Sequence, residues 1–413
     1  MTGLDQAITD YTMRLFLRYF RNGSTGAVTA PSLDLAQDAD LLRGHWAISA
    51  PVRRFLEYVL THRHEAQSLL QFVRRTDDAM ARGRIDARAT VLARAVGGHP
   101  SLVVAEEPLR SFNTGPNQLV AWVVHQASLQ AARLLRLQSL ASDYRMLIEE
   151  SMADLSAVKR LDALREPLKH VVTNRRPTRG SLREASRSRR MLYREAVAAY
   201  RAFTGIEAGE LEALSAVLGS TVITPLEEWR RYELAVSMGI GMALTEETGA
   251  ALRLSILVGG SGEPILRCGR YSLYWQQSTD LFRRPPLEPS EERLERALAA
   301  YNMRMSLDRP DLVLVDEIAR MVIAVIEVKY LLGDTARVRF REAVEQIVRY
   351  ARGYALNDAE TECLIERSLV ALSADAPARM ASGMASPSTV DFAGLQAGAL
   401  NRWVRDVVMP ASH

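Results

Sequence analysis

Two acids and a lysine stand at the ends of two apolar runs in Arg309-Pro310-Asp311-Leu312-Val313-Leu314-Val315-Asp316-Glu317-Ile318-Ala319-Arg320-Met321-Val322-Ile323-Ala324-Val325-Ile326-Glu327-Val328-Lys329-Tyr330. The runs flank a polar turn at 316–320, a pattern that predicts a β-hairpin. With the turn centred on Ala319, Asp311 lies opposite Glu327 in the ladder. Side chains alternate along a strand, so Glu327 and Lys329 share a face. Two carboxylates and one ammonium then meet at the end of an otherwise apolar hairpin. Buried charge is costly unless it is paired or holds a metal. A surface hairpin with a Glu–Lys ion pair is the plainer alternative, and the apolar walls on both strands argue against it. Carboxylate ligands of this kind suit Mg²⁺ or Mn²⁺, which keep several waters and accept phosphate oxygens. Such a metal polarises a phosphodiester and acidifies water, while the lysine orients that water and offsets charge in the transition state.

Pro310-Asp311 followed by Glu327-Val328-Lys329 resembles the PD-(D/E)XK phosphodiesterase superfamily. The resemblance implies that Asp311 and Glu327 bind the metal, that the Val328 carbonyl adds a ligand, and that Lys329 supports the attacking water. Gln346 and Tyr350 form a QxxxY pair one helical turn apart, on one face, as in RecB-like members, where both point at the active site. A solvated Gln and a packing Tyr are the structural alternative. Upstream, Glu233 follows Tyr232 at the place of an acid that aids metal binding in the family; Glu227, Glu228 and Glu246 compete for that role. The order Tyr232-Glu233, Tyr274-Trp275-Gln276, Arg309-Pro310-Asp311, Glu327-Val328-Lys329-Tyr330 is similar to McrC-like nucleases. Gly115-Pro116-Asn117 and Leu192-Tyr193-Arg194 look like parts of the helical domain that precedes the nuclease in that family. The β-rich N-terminal region that many of its members carry is not evident.

These residues need elements to hold them. The first half reads helical, with apolar spacing of three and four over 4–21, 50–75, 78–96, 117–147, 150–170 and 191–203. The texture changes near 219. A helix over 225–248, capped by Thr224 with Pro225 at its first position, comes first. Strand-like runs follow at 252–258, 264–268, 271–276, 312–315 and 321–330. A helix at 336–354, with Asp334 or Thr335 as cap, precedes a strand at 364–372, a loop at 374–389 and a closing helix at 392–408. The expected class is α/β: an all-helical domain at 1–218, for partner or DNA binding, then at 219–413 a restriction-endonuclease-like mixed sheet flanked by helices.

Composition narrows the chemistry. The 413 residues are 48% hydrophobic and 24% charged, an ordinary globular mix. No run of eighteen apolar residues exists, so no membrane span is expected. The first twenty residues carry acids and no apolar signal core, and the two cysteines, Cys268 and Cys363, cannot build a disulfide framework; a cytoplasmic setting is expected. Seven histidines are present, none of them within 171–412. That stretch therefore has no Ser-His-Asp triad, HExxH zinc site or HNH-type site of its own. No GxxxxGK[ST] occurs, and Gly259-Gly260-Ser261-Gly262 reads as a hairpin loop.

The net charge is only +3, and all but three of the 52 basic residues are arginine. A polyanion therefore has to meet them unevenly placed. Arg175, Arg176, Arg179, Arg183, Arg187, Arg189 and Arg190 crowd one stretch against the single acid Glu184, and Arg337, Arg339 and Arg341 open the helix beside the lysine strand. Clustered guanidinium groups suit nucleic-acid phosphates. The acid and lysine pattern predicts an Mg²⁺- or Mn²⁺-dependent nuclease, and the resemblance implies that it acts on DNA, in restriction or antiviral defence. By the resemblance it works with an AAA+-type NTPase partner, since the chain lacks a nucleotide-binding motif. A catalytically silent nuclease-fold scaffold or DNA-binding subunit and an RNA-directed nuclease stand as alternatives; a homo-oligomer is compatible with the sequence.

Overall fold

The computed structural model describes residues 3–24, 35–78, 83–136, 142–171, 175–223, 225–255, 263–283, 289–301, 309–331, 336–377 and 385–411. In chain order come α1 (Gly3–Ser24), α2 (Leu35–Ala47), α3 (Ala50–Thr61), β1 (Leu69–Asp78), β2 (Arg84–Ile85), α4 (Ala87–Ala95), β3 (Leu102–Ser111), α5 (Gly115–Leu135) and α6 (Ser142–Lys159). Then follow α7 (Asp162–Lys169), α8 (Arg179–Arg187), α9 (Met191–Ala208), α10 (Leu211–Leu218), α11 (Glu228–Thr248), β4 (Leu252–Leu254), β5 (Leu266–Cys268) and β6 (Tyr271–Trp275). The remainder is α12 (Pro289–Ala299), β7 (Leu312–Asp316), β8 (Met321–Lys329), α13 (Ala336–Tyr354), α14 (Asp358–Arg367), β9 (Leu369–Leu372), β10 (Ser388–Asp391), α15 (Phe392–Gln396) and α16 (Ala399–Trp403). The class is mixed α/β, with an N-terminal helical region and a mixed sheet flanked by helices.

The chain forms two compact units. One comprises Arg43–Arg136 and Arg145–Ala208; the other comprises Met1–Leu42, Leu137–Tyr144 and Gly209–His413. These units run differently from a single cut at 218/219, because α1 belongs with the sheet. Its apolar face, Ile8, Leu15, Phe16 and Tyr19, is buried, and Asp5 pairs with Arg231 of α11 at 2.8 Å. An amphipathic helix cannot bury its own stripe, and α11, buried along most of its length, supplies the surface.

The first unit is not purely helical. β1 pairs antiparallel with β3 from Leu69↔Ser111 to Asp78↔Leu102, within a region expected to be helix. The misreading has a physical source: every residue of β1 is exposed, so no face alternates between apolar and polar. Helix α5 starts on Thr114, whose hydroxyl accepts the Asn117 N–H, with Pro116 in the first turn. Asn117 is fully buried. Its amide donates to the carbonyls of Gln67 and Phe112, both at 2.7 Å, and its Oδ1 accepts the Tyr193 hydroxyl at 2.7 Å. That hydroxyl in turn accepts the Gln67 N–H at 2.6 Å. The two tripeptides singled out from the sequence thus meet in one network that ties down the base of the ribbon. Tyr193→Phe should lower stability by about 1–3 kcal/mol, the cost of leaving buried partners unpaired. Urea unfolding with no shift in midpoint would remove the network from the stability of this unit.

Among the described residues of the second unit, seven strands lie in the order β10-β9-β8-β7-β6-β5-β4. β8, β9 and β10 are parallel neighbours and the other pairs are antiparallel. β7 and β8 read as near-continuous apolar runs because both faces are covered. On one face, Val313, Val325, Val370 and Leu372 pack against Ile347, Tyr350 and Leu364 of α13 and α14. On the other lies α11, where Gly241 admits Leu252 and Leu266; a Cβ there would sit 3.0 Å from both.

The hairpin register is the expected one at its open end, Leu312↔Ile326. Asp316 accepts the N–H groups of Ile318 and Ala319 at 3.0 Å, and Arg320 closes the turn at φ +53°. A bulge at Leu314/Val315 shifts the register near the turn. Other boundaries differ. α11 begins at Glu228 with Glu227 as cap. The apolar run at 364–372 divides at Ser368 into the end of α14 and β9. The closing helix breaks into α15, α16 and a following π turn at Val404–Val408. Thr224, Asp334, Thr335 and the Gly259–Gly262 glycine cluster, read above as a cap or a hairpin loop, lie outside the described residues.

Candidate active site

The strand pleat puts Asp311, Glu327 and Lys329 on the α13 face of the hairpin, in line with Val313 and Val325. Lys329 Nζ donates to Glu327 Oε2 at 2.6 Å and to Asp311 Oδ2 at 3.2 Å. Backbone contacts fix the carboxylates: the Val328 N–H donates to Asp311 Oδ2 at 2.8 Å, and the Asp311 N–H to Glu327 Oε1 at 3.3 Å. Val328 stands between the two charged residues and is buried.

Glu233 comes from α11 and is 2% exposed. It accepts the Trp275 indole N–H and the Gln276 amide, the latter at 2.9 Å. Gln276 is held in the left-handed region at φ +50°, and its N–H donates to the Asp311 carbonyl at 2.9 Å. One strained residue thereby links the Glu233 carboxylate to the strand that carries Asp311, which is where a functional constraint is expected. The resemblance flagged Trp275 and Gln276 without giving them a role. Of the competing acids, Glu227 caps α11, and Glu246 is taken up by Arg18 and Asn401.

The electrostatics follow from burial. Desolvation, then repulsion from Asp311, pushes Glu327 well above the usual carboxylate range. The same two causes push Glu233 up to about 8. Burial alone would lower Lys329, but Glu327 and Asp311 outweigh it and raise it. Because Glu233 titrates higher when folded than unfolded, its cost to stability grows from about pH 5 to about pH 8 and is full above. Glu233→Gln should therefore raise the Tm of the metal-free protein, most of all above pH 8. A Tm that is unchanged or lower at alkaline pH would contradict this electrostatic account.

α13 closes the other side. A cleft of about 440 Å³ is lined by Lys329, Arg339, Glu342, Glu345, Gln346 and Arg349. Gln346 borders this cleft, and its Oε1 is buried with no hydrogen-bond partner among the described residues. Tyr350 is instead in the core, 5% exposed, and its hydroxyl donates to the Arg309 carbonyl at 3.2 Å. It buttresses the turn into Asp311. Arg337, Arg339 and Arg341 are exposed on α13; Arg339 pairs with Glu342 and Arg341 with Glu345, so part of their charge is neutralised. Arg349 also lines the cleft and was not singled out by sequence. Arg175, Arg176, Arg179, Arg183, Arg187, Arg189 and Arg190 are all exposed in the other unit; Arg176 pairs with Glu207, and Arg190 donates to the Glu65 carbonyl at 2.6 Å.

Among the described residues no group of three or more His, Cys, Asp and Glu side chains forms a ready metal cage. The donor chemistry still fits a hard divalent cation. Asp311 and Glu327 are two convergent carboxylates, and Mg²⁺ is commonly held by one or two carboxylates with water and phosphate oxygens completing the shell. One ammonium set against Asp311, Glu327 and the nearby Glu233 leaves excess negative charge in a buried place, which the raised Glu327 and Glu233 register.

Fold and site together define an α/β chain with a lysine clamped by two carboxylates at one end of a mixed sheet. No protein-family model matches the sequence, and no curated protein matches it. Among solved structures, a refined half-complex from a tetradecameric assembly of Thermococcus gammatolerans McrB AAA+ hexamers with bound McrC matches at 10% identity. The match covers 98% of this chain and 77% of that one, with a TM-score of 0.27. No helix among the described residues is long and apolar enough to cross a membrane.

Proposed function

We propose that this chain is a metal-dependent phosphodiesterase of the PD-(D/E)XK type that cleaves DNA, in restriction of foreign DNA. The observation that carries the reading is the meeting of Asp311, Glu327 and Lys329, with Lys329 Nζ within 3.2 Å of both carboxylates. Asp311 and Glu327 would hold Mg²⁺ or Mn²⁺, with the Val328 carbonyl as the further ligand that the family resemblance implies. Glu233 would add negative charge behind them. The metal would supply Lewis-acid activation of the phosphodiester and a more acidic water. Lys329 would hold the attacking water by hydrogen bond and offset charge developing on the phosphoryl oxygens. Gln346 borders the same cleft, and Arg339 and Arg349, which also line it, would contact flanking phosphates. Side-by-side digestion of DNA and RNA with Mg²⁺, with and without chelator, tests this. Chelator-sensitive DNA cleavage is expected. RNA cleavage alone would reassign the substrate, and no cleavage of either in any metal would leave a silent scaffold.

The arginine-rich stretch around α8 would contact DNA phosphates. Replacing Arg187, Arg189 and Arg190 with Ala should weaken binding evenly across sequences. The slope of log affinity against log salt should become shallower by up to about three. An unchanged slope would assign this surface to a protein instead. An AAA+-type NTPase would be that protein partner, since the chain has no phosphate-binding loop of its own. Weak cleavage alone and stimulation by such a partner with NTP are expected. Strong cleavage unaffected by it would remove the partner and leave the nuclease.

A further inference from the structure

We propose that the sheet unit carries a second ligand site, for a nucleoside phosphate, at the opposite end of β8 from Lys329. A cavity of about 470 Å³ opens there between the start of β8, the end of α13 and α14. That volume suits a small molecule. Leu281, Val322 and Leu364 form an apolar floor beside Tyr354, while Arg283, Arg320 and Arg367 stand around it. Eight residue steps along β8 run from Met321 at this cavity to Lys329, about 26 Å at strand rise, so the proposed cleavage site is remote.

The charges leave a vacancy for an anion. Arg320 is paired with Asp280. Arg283 and Arg367 have no carboxylate partner among the described residues. Glu360, the acid in the lining, is engaged elsewhere: its carboxylate accepts the Leu356 N–H at 2.8 Å and the Asn357 amide at 3.1 Å. Guanidinium groups of this kind match phosphate oxygens, and the aromatic and aliphatic wall matches a base.

The wall is built rather than incidental. The Arg283 N–H donates to the Gly353 carbonyl at 2.7 Å, and the Thr279 N–H to the Tyr354 hydroxyl at 3.3 Å. The Phe282 ring lies over Gly353, where a Cβ would meet it at 2.2 Å, and stands edge-on to Tyr354 at 5.0 Å. The Arg283 backbone and the Tyr354 ring are therefore held side by side.

The protein carries its own reporter. Cys363 lines the cavity and is exposed, whereas Cys268, the other cysteine, is buried. A thiol reagent applied to the full chain should modify Cys363 first, and Cys363→Ser should abolish that fast phase. AMP, ADP or ATP should slow it, about tenfold at ten times Kd, in step with the free fraction. Arg283→Gln combined with Arg367→Gln should keep the Tm but lose the protection, read in that variant as the ratio of its own rates with and without nucleotide. No slowing by any of the three nucleotides, equal slowing by inorganic pyrophosphate, or protection that persists in the double variant would overturn the proposal. None of these outcomes bears on cleavage, so the site stands or falls apart from the nuclease reading.

Discussion

Glu327→Gln should leave a folded protein that does not cut. Glu327 is fully buried, its carboxylate is the nearer of the two partners of Lys329, and its backbone lies inside the β8–β9 ladder. Glutamine keeps the volume, and its carbonyl can still accept from Lys329, so the sheet has no reason to open. What disappears is the negative charge that the proposed metal would need. On the scale of groups acting on transition-state charge, cleavage should fall by about 10³-fold or more, some 4 kcal/mol. Burial disfavours the charged carboxylate, so the Tm should hold or rise. Asp311→Asn should behave alike, since an amide oxygen can still accept the Val328 N–H. Cleavage at the wild-type rate in a properly folded Glu327→Gln variant would end the assignment of this site.

Lys329→Ala should separate catalysis from binding. A group that acts in the transition state changes turnover more than ground-state affinity, so turnover should drop by orders of magnitude while DNA affinity persists. The geometry adds a stability signature. From sequence alone, removing a partly buried charge reads as stabilising. In the structure Lys329 is the counter-ion of both Asp311 and Glu327, and its loss leaves two carboxylates facing each other. The metal-free variant should therefore melt lower than wild type, and Mg²⁺ should raise its Tm by more than it raises that of wild type. Collapse of DNA affinity with turnover intact would make Lys329 a phosphate contact instead.

The hairpin was legible because its apolar runs are long and its charges interrupt them at one end; next to the turn the pairing is one residue off the expected register, and the bulge at Leu314/Val315 restores it at the open end. Glu233 was legible only as one of several acids on α11, since burial beside Trp275 and Gln276 is a tertiary fact. The role of Gln276 was hidden for the same reason, and its positive φ has no composition signal. β1 was missed because a ribbon exposed on both faces has no burial pattern to read. Tyr350 shows the limit of a shared helix face: Gln346 borders the cleft, yet one turn on, the tyrosine is in the core.

The way the two units interleave along the chain sets an order of events during synthesis. α1 leaves the ribosome roughly 200 residues before α11, the helix that covers its apolar face, a delay of about 10–40 s at ordinary elongation rates. In that interval the intervening unit, Arg43–Arg136 and Arg145–Ala208, has all of its own core available and can fold first. Ile8, Phe16 and Tyr19 wait in the open meanwhile, so this nascent chain has a long window in which a holdase chaperone has a defined apolar segment to grip.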